Sequence, residues 1–163
     1  MRRTALIVVP LSALALIAGC IPQSTDARPC PLGEWQASGS RMVNAMGWGG
    51  PNVQSTGSVV FQFAEDGTFD WRWDQTISNS GEGQTVAFTF DATMRGEWSG
   101  NPDNLTLNVT DGTGTVAETG GSRPETTDIR DSFDIDDGLL ATCSGSDMYV
   151  RLNNAVVVLL KRK

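Results

Sequence analysis

Residues 58–75 read SVVFQFAEDGTFDWRWDQ. Val59, Phe61 and Phe63 alternate with Val60, Gln62 and Ala64, and beyond Glu65-Asp66-Gly67 the residues Phe69, Trp71 and Trp73 alternate with Asp70, Arg72 and Asp74. A period of two on both sides of an Asp-Gly turn predicts a β-hairpin with one largely aromatic face and one polar face. A lone hairpin is marginal in water and cannot hide six large apolar side chains, so further strands with the same alternation must cover them.

The rest of the chain supplies such strands. Upstream, Gly33-Glu34-Trp35 opens a strand expected to run to about Val43, and the Gly/Pro-rich residues Asn44 to Ser55 read as a long loop carrying Met46 and Trp48. Downstream, Ile77 to Gln84 reads as a polar connection. Val86, Phe88 and Phe90 then alternate with polar or small residues, and the same face continues through Met94 and Trp98 with a bend or bulge expected around Gly96. Asn101 to Asn104 is turn chemistry. Leu105, Leu107 and Val109 form the next alternating strand, and Asp111-Gly112 is expected to turn the chain into a weak strand at Gly114 to Glu118. Thr119 to Asp128 reads as an irregular loop, Ser132 to Ile135 as a short strand, and Leu139 to Ser144 as another. Met148, Val150 and Leu152 alternate with Tyr149 and Arg151, Asn153-Asn154 suits a two-residue turn, and the apolar run Ala155 to Leu160 reads as a strand covered on both faces. No segment keeps a helical period over three turns. The expected fold class is all-β, an antiparallel up-and-down barrel of about 8–10 strands rather than a sandwich.

Composition narrows the function classes. The 163 residues carry 12 basic and 19 acidic side chains and no histidine. An acidic body repels phosphate backbones, which argues against nucleic acid as a partner. Without histidine the commonest general base, triad partner and zinc ligand are gone.

Met1-Arg2-Arg3, followed by an apolar run from Ala5 to Ala18, has the layout of an export signal and is short for a membrane span. It ends in Ile17-Ala18-Gly19-Cys20, which resembles the lipobox of bacterial lipoproteins. That resemblance implies removal of residues 1–19 and a lipid anchor on Cys20, palmitate among its acyl chains; the competing reading is an ordinary signal peptide with an incidental cysteine. Residues 20–29 then form a lipidated tether, and residues 30–163 the folded domain. With Arg2 and Arg3 removed, 10 basic and 19 acidic residues remain, a net charge of −9. The expected location is outside the cytoplasm, held on the outer face of a bacterial cell membrane or in the envelope. Once Cys20 carries lipid, Cys30 and Cys143 are the only pair left in a compartment that permits disulfides, so they are expected to be bonded; two reduced, buried thiols are the alternative.

Cys30-x-x-Gly33-x-Trp35, Phe63-x-x-Asp66-Gly67-Thr68-Phe69, Gly96-x-Trp98 with Asp103-x-Leu105-x-Leu107, and Cys143-Ser144-Gly145 are, in that order, similar to the lipocalin-like domains of small bacterial lipoproteins. The resemblance spans about residues 30 to 160. It implies an antiparallel barrel whose base is plugged by Trp35, against a basic side chain from a late strand, for which Arg151 or Lys161 is the candidate. The carboxy-terminal helix of lipocalins proper is not evident.

For chemistry, the densest acidic cluster is Asp134-Ile135-Asp136-Asp137-Gly138; it reads as a solvated turn, with no further ligands at a spacing that would make a metal site. No cofactor and no catalytic residue is expected. The candidate ligand-binding set is Phe61, Phe63, Phe69, Trp71, Trp73, Phe88, Phe90 and Trp98 on inward-pointing positions, with Met46 and Trp48 as a lid. These rings either fill a small barrel or line a cavity. Three functions stay open: a membrane-anchored binder of a small hydrophobic ligand, a filled interaction module of the envelope whose partner surface lies around Tyr149, Arg151 and the strand 155–160, and, a distant third, an envelope enzyme.

Overall fold

A computed structural model describes residues 29–81, 83–120, 125–133, 135, 138–154 and 156–163. The expected signal peptide, Cys20, most of the tether and the acidic residues Asp134, Asp136 and Asp137 lie outside these residues. Among the described residues, nine strands and two short helices follow in order: β1 (Gly33–Ser38), α1 (Gly39–Ala45), β2 (Val53–Phe63), β3 (Thr68–Gly81), β4 (Gln84–Asn101), β5 (Asn104–Thr119), β6 (Thr126–Asp128), α2 (Ile129–Phe133), β7 (Leu139–Ser144), β8 (Asp147–Arg151) and β9 (Val157–Arg162). Every pairing is antiparallel, and because β1 pairs with β9 as well as β2, while β5 pairs with both β4 and β7, eight strands close into an up-and-down barrel. β6 adds a ninth strand on the flank of β5.

The expected hairpin is present in register, with Val59 opposite Trp73, Phe61 opposite Trp71 and Phe63 opposite Phe69. At its turn the Asp66 carboxylate accepts hydrogen bonds from the Thr68 hydroxyl (2.6 Å) and backbone N–H (3.0 Å). These bonds hold the Asp66 carboxyl below its ordinary range. The irregularity expected near Gly96 is a bulge: the partner of Arg95 is Asp111 and that of Gly96 is Val109, which leaves Thr110 as an extra residue on β5. Gly96 points inward, and a Cβ there would come within 2.6 Å of the Phe69 ring. A side chain at position 96 would push that ring out of the core.

Several local expectations are corrected. The strand begun at Trp35 stops at Ser38, and residues 39–45 form α1, which buries Met42 and Val43 over the end of the barrel. Residues 77–81 and 84 belong to β3 and β4 rather than to a loop, because the ladder continues outward through Thr76 and Thr89 to Ser80 and Thr85. Asp111-Gly112 is not a turn; β5 runs through it. β6 lies within the stretch expected to be irregular, and Ser132 and Phe133 end a helix rather than begin a strand. Asp128 starts that helix by accepting the Arg130 N–H at 2.8 Å, as an N-cap side chain does. The Asn153-Asn154 turn is wider than two residues, with Asn153 Oδ1 accepting the Val156 N–H at 2.8 Å. β9 is covered on one face only: Val158 and Leu160 are buried, whereas Val157 is 43% exposed.

Candidate functional site

The inward positions of β2, β3 and β4 build a column of rings along the barrel. At the base, Phe63 meets the edge of Trp98 (6.4 Å between centroids) and stacks on Phe61 (6.0 Å), which stacks on Trp71 (5.1 Å). Trp71 leads to Trp73 (6.0 Å), and Trp73 lies parallel to Phe90 at 4.6 Å. Phe69 packs beside Phe61 and Phe63, and Phe133 of α2 closes on Trp73 at 5.3 Å. Phe61, Phe63, Phe69, Trp71, Trp73 and Phe90 are each no more than 2% exposed. Six of the ten candidate ligand-binding residues therefore touch one another in a packed stack.

Trp98 is half-buried at the base, where its indole N–H donates to the Ala64 carbonyl at 3.1 Å. The base is fixed further by the Cys30–Cys143 disulfide, with Cα atoms 6.0 Å apart, and by Trp35. The basic partner of Trp35 is neither Arg151 nor Lys161. Arg162 lies over the indole, 4.5 Å from its centroid, and donates to the Leu32 carbonyl at 2.9 Å. Arg162 shares the inward parity of Val158 and Leu160, whereas Arg151 is exposed and Lys161 pairs with Asp147 outside the barrel.

Toward the other end, Trp73 donates its indole N–H to Gln75 Oε1 (2.9 Å), and Gln75 Nε2 donates to Ser55 Oγ (2.9 Å) and the Gly39 carbonyl (3.2 Å). Gln75 is 1% exposed, the buried polar side chain that ties the column to α1. Its fixed amide satisfies a buried N–H that would otherwise carry a desolvation cost of ~1–3 kcal/mol. Sequence reading missed Gln75 because it looks like the end of a polar face, although its parity is that of Trp71 and Trp73. Trp71 Nε1, by contrast, finds no acceptor among the described residues.

At the mouth, the remaining candidates come together. Met46 is partly buried against the core, and Trp48, 40% exposed, tilts over Phe88 at 5.0 Å and Phe90 at 6.4 Å. Trp48 is positioned by its N–H bond to the Val43 carbonyl (3.0 Å), so α1 and the glycine-rich segment after it hold the ring above β3 and β4. Trp48, Val53, Ile77, Asn79 and Phe88 line a cleft of about 270 Å³. Asn79 is its one polar side chain.

Among the described residues no group of acidic or cysteine side chains is arranged to hold a metal ion, and no helix is long and apolar enough to cross a membrane. The chain matches no protein-family model, no curated protein and no solved structure. The geometry itself divides the candidates: rings 61 to 73 and 90 contact each other, Trp48 and Phe88 line an open cleft, and Met46 packs partly buried against the core.

Proposed function

We propose that this chain is an exported bacterial envelope lipoprotein, anchored through Cys20, whose lipocalin-like barrel binds a small hydrophobic ligand at its mouth and catalyses no reaction. The observation that carries the binding reading is the half-exposed Trp48 held 5.0 Å from Phe88 over an apolar cleft. Its volume lies near the low end of small-molecule sites, which run from ~300 to ~1,000 Å³, so an acyl segment or a small ring system is the expected ligand size. The disulfide supports maturation in an oxidising, exported compartment. Nucleic acid is not the expected partner of so acidic a surface.

A filled interaction module is the second reading, favoured by the packed ring column and by an apolar patch on the outer wall. There Leu140 is 50% exposed, Tyr149 47% and Val157 43% on the adjacent strands β7, β8 and β9. Native mass spectrometry of the gently purified protein, alongside titration with a fatty-acid-like quencher, separates the two. A co-purifying lipid and saturable quenching of tryptophan fluorescence are expected; neither would be seen if the barrel is only a scaffold. The anchor has its own test, since a Cys20→Ser chain that stays as membrane-bound as the parent would show that the lipid is elsewhere.

A further inference from the structure

Four large apolar side chains stand exposed among the described residues, and three of them share one wall: Leu140 on β7, Tyr149 on β8 and Val157 on β9. Register sets them in two rows across those strands. In the first, Leu140 lies opposite Arg151 and Arg151 opposite Val157; in the second, Thr142 lies opposite Tyr149 and Tyr149 opposite the half-buried Leu159. Neither row holds an acidic residue, in a chain whose acids outnumber its bases 19 to 12. The third row, Ser144, Asp147 and Lys161, is polar, and its one carboxylate is taken up by Lys161. Arg151 forms no ion pair among the described residues. The wall of β3 and β4 differs in kind: Asp70, Arg72, Asp74 and Arg95 face outward there, and Arg95 pairs with Asp70.

The chain enters the barrel beside this apolar wall. Cys30 is bonded to Cys143 of β7, with 6.0 Å between their Cα atoms, and Cys143 is the neighbour of Thr142. The entry point therefore lies within about 10 Å of the second row. From Cys20 to Cys30 the chain can span no more than about 35 Å. A domain held that close to a bilayer turns some wall towards it, and the wall of β7 to β9 is the one next to the attachment.

We infer that the outer wall of β7, β8 and β9 docks on the surface of the membrane that carries the anchor, with Leu140, Tyr149 and Val157 in the lipid interface. The inference rests on the proposed anchor at Cys20 and names what the exposed wall meets. Exposed apolar side chains gathered on adjacent strands mark a contact surface. The residue types fit a bilayer edge: a tyrosine has an apolar ring and a polar tip, and is enriched at the level of lipid headgroups. Arg151, between Leu140 and Val157, lays its stem along them and reaches headgroup phosphates with its guanidinium. The acyl chains hold the protein, and the wall, brought to high effective concentration by the tether, sets its orientation.

The test places a thiol on each wall of the full chain, Tyr149→Cys on the apolar one and Arg72→Cys on the charged one. Each protein is purified from membranes, reconstituted in vesicles of phosphatidylglycerol and phosphatidylcholine, and alkylated without reductant by a charged maleimide that does not enter bilayers. The thiol at 149 is expected to react about tenfold more slowly than that at 72, as for a face covered roughly nine-tenths of the time. Adding Leu140→Ser and Val157→Ser, both at exposed positions, is expected to bring the two rates together. Equal rates in vesicles without those serines, or a slow reaction at 149 that the serines leave unchanged, would overturn the inference. Protection at 149 in native envelope membranes but not in the lipid vesicles would also overturn it and assign the wall to a partner protein. The anchor reading fails separately: a Cys20→Ser chain that floats with vesicles as the parent does is held elsewhere, and its two thiols still report on the wall. A parent chain that does not float overturns both.

Discussion

The base and the mouth of this barrel are built from the same residue types to opposite ends. At the base an indole, Trp35, is sandwiched beneath a guanidinium, the Cys30–Cys143 bond crosses from the entry segment to β7, and Trp98 finds its acceptor. At the mouth an indole of the same size, Trp48, is 40% exposed and touches the column on one side only. Aromatic residues in a β-barrel are therefore not one population. Rings whose two faces both meet protein hold the fold together, and a ring with one free face has contact area left for something else.

The sharpest way to break the comparison is to unlock the base. Cys30 and Cys143 are 113 residues apart, and closing so long a loop is worth up to ~4–5 kcal/mol in the chain-entropy model. A Cys30→Ala, Cys143→Ala double variant should lose most of that in urea unfolding, with the mouth chemistry intact in whatever fraction stays folded. A loss below ~1 kcal/mol would mean that packing around Trp35 fixes the base without the bond.

Next in size is the middle of the column. Trp73→Ala removes a fully buried ring that stacks on Phe90 and Trp71 and strands the Gln75 amide. A destabilisation of ~3–5 kcal/mol is expected by denaturant titration. A variant that unfolds at the parent's midpoint would show that the column tolerates a hole and does not hold the fold together.

How much of this was legible in the sequence follows from parity. Wherever one face of a strand is buried and the other wet, period-two alternation names the inward residues, and Phe61, Trp71 and Trp73 were readable on that ground. The paired cysteines were readable because the expectation of a lipid on Cys20 left Cys30 and Cys143 no other partner. What was hidden is of three kinds. α1 and α2 have seven and five residues, too few turns for a helical period to declare itself against alternation. Arg162 was masked because the apolar run before it, with Val157 and Leu159 on its outer side, obscures which residues of β9 face in. The division of the aromatic set into packed rings and the mouth group depends on where α1 sets Trp48, and that is a tertiary fact with no local signature.

The smallest expected change in stability, and the one that sharpens the comparison most, comes from Trp48→Ala. Its ring is half in water and its main aromatic contact is Phe88, so removing it should cost about 0.5–1.5 kcal/mol, the value of a single aromatic pair. Binding should respond in the reverse order. Saturable quenching by a fatty-acid-like probe is expected to vanish in Trp48→Ala, while Trp73→Ala, assayed under conditions where it remains folded, keeps it. The two variants then trade places: one is severe for folding and mild for binding, the other mild for folding and severe for binding. Quenching that disappears in Trp73→Ala and survives in Trp48→Ala would place the ligand inside the column instead, and would require the rings now in contact at 4.6 to 6.0 Å to part when it enters.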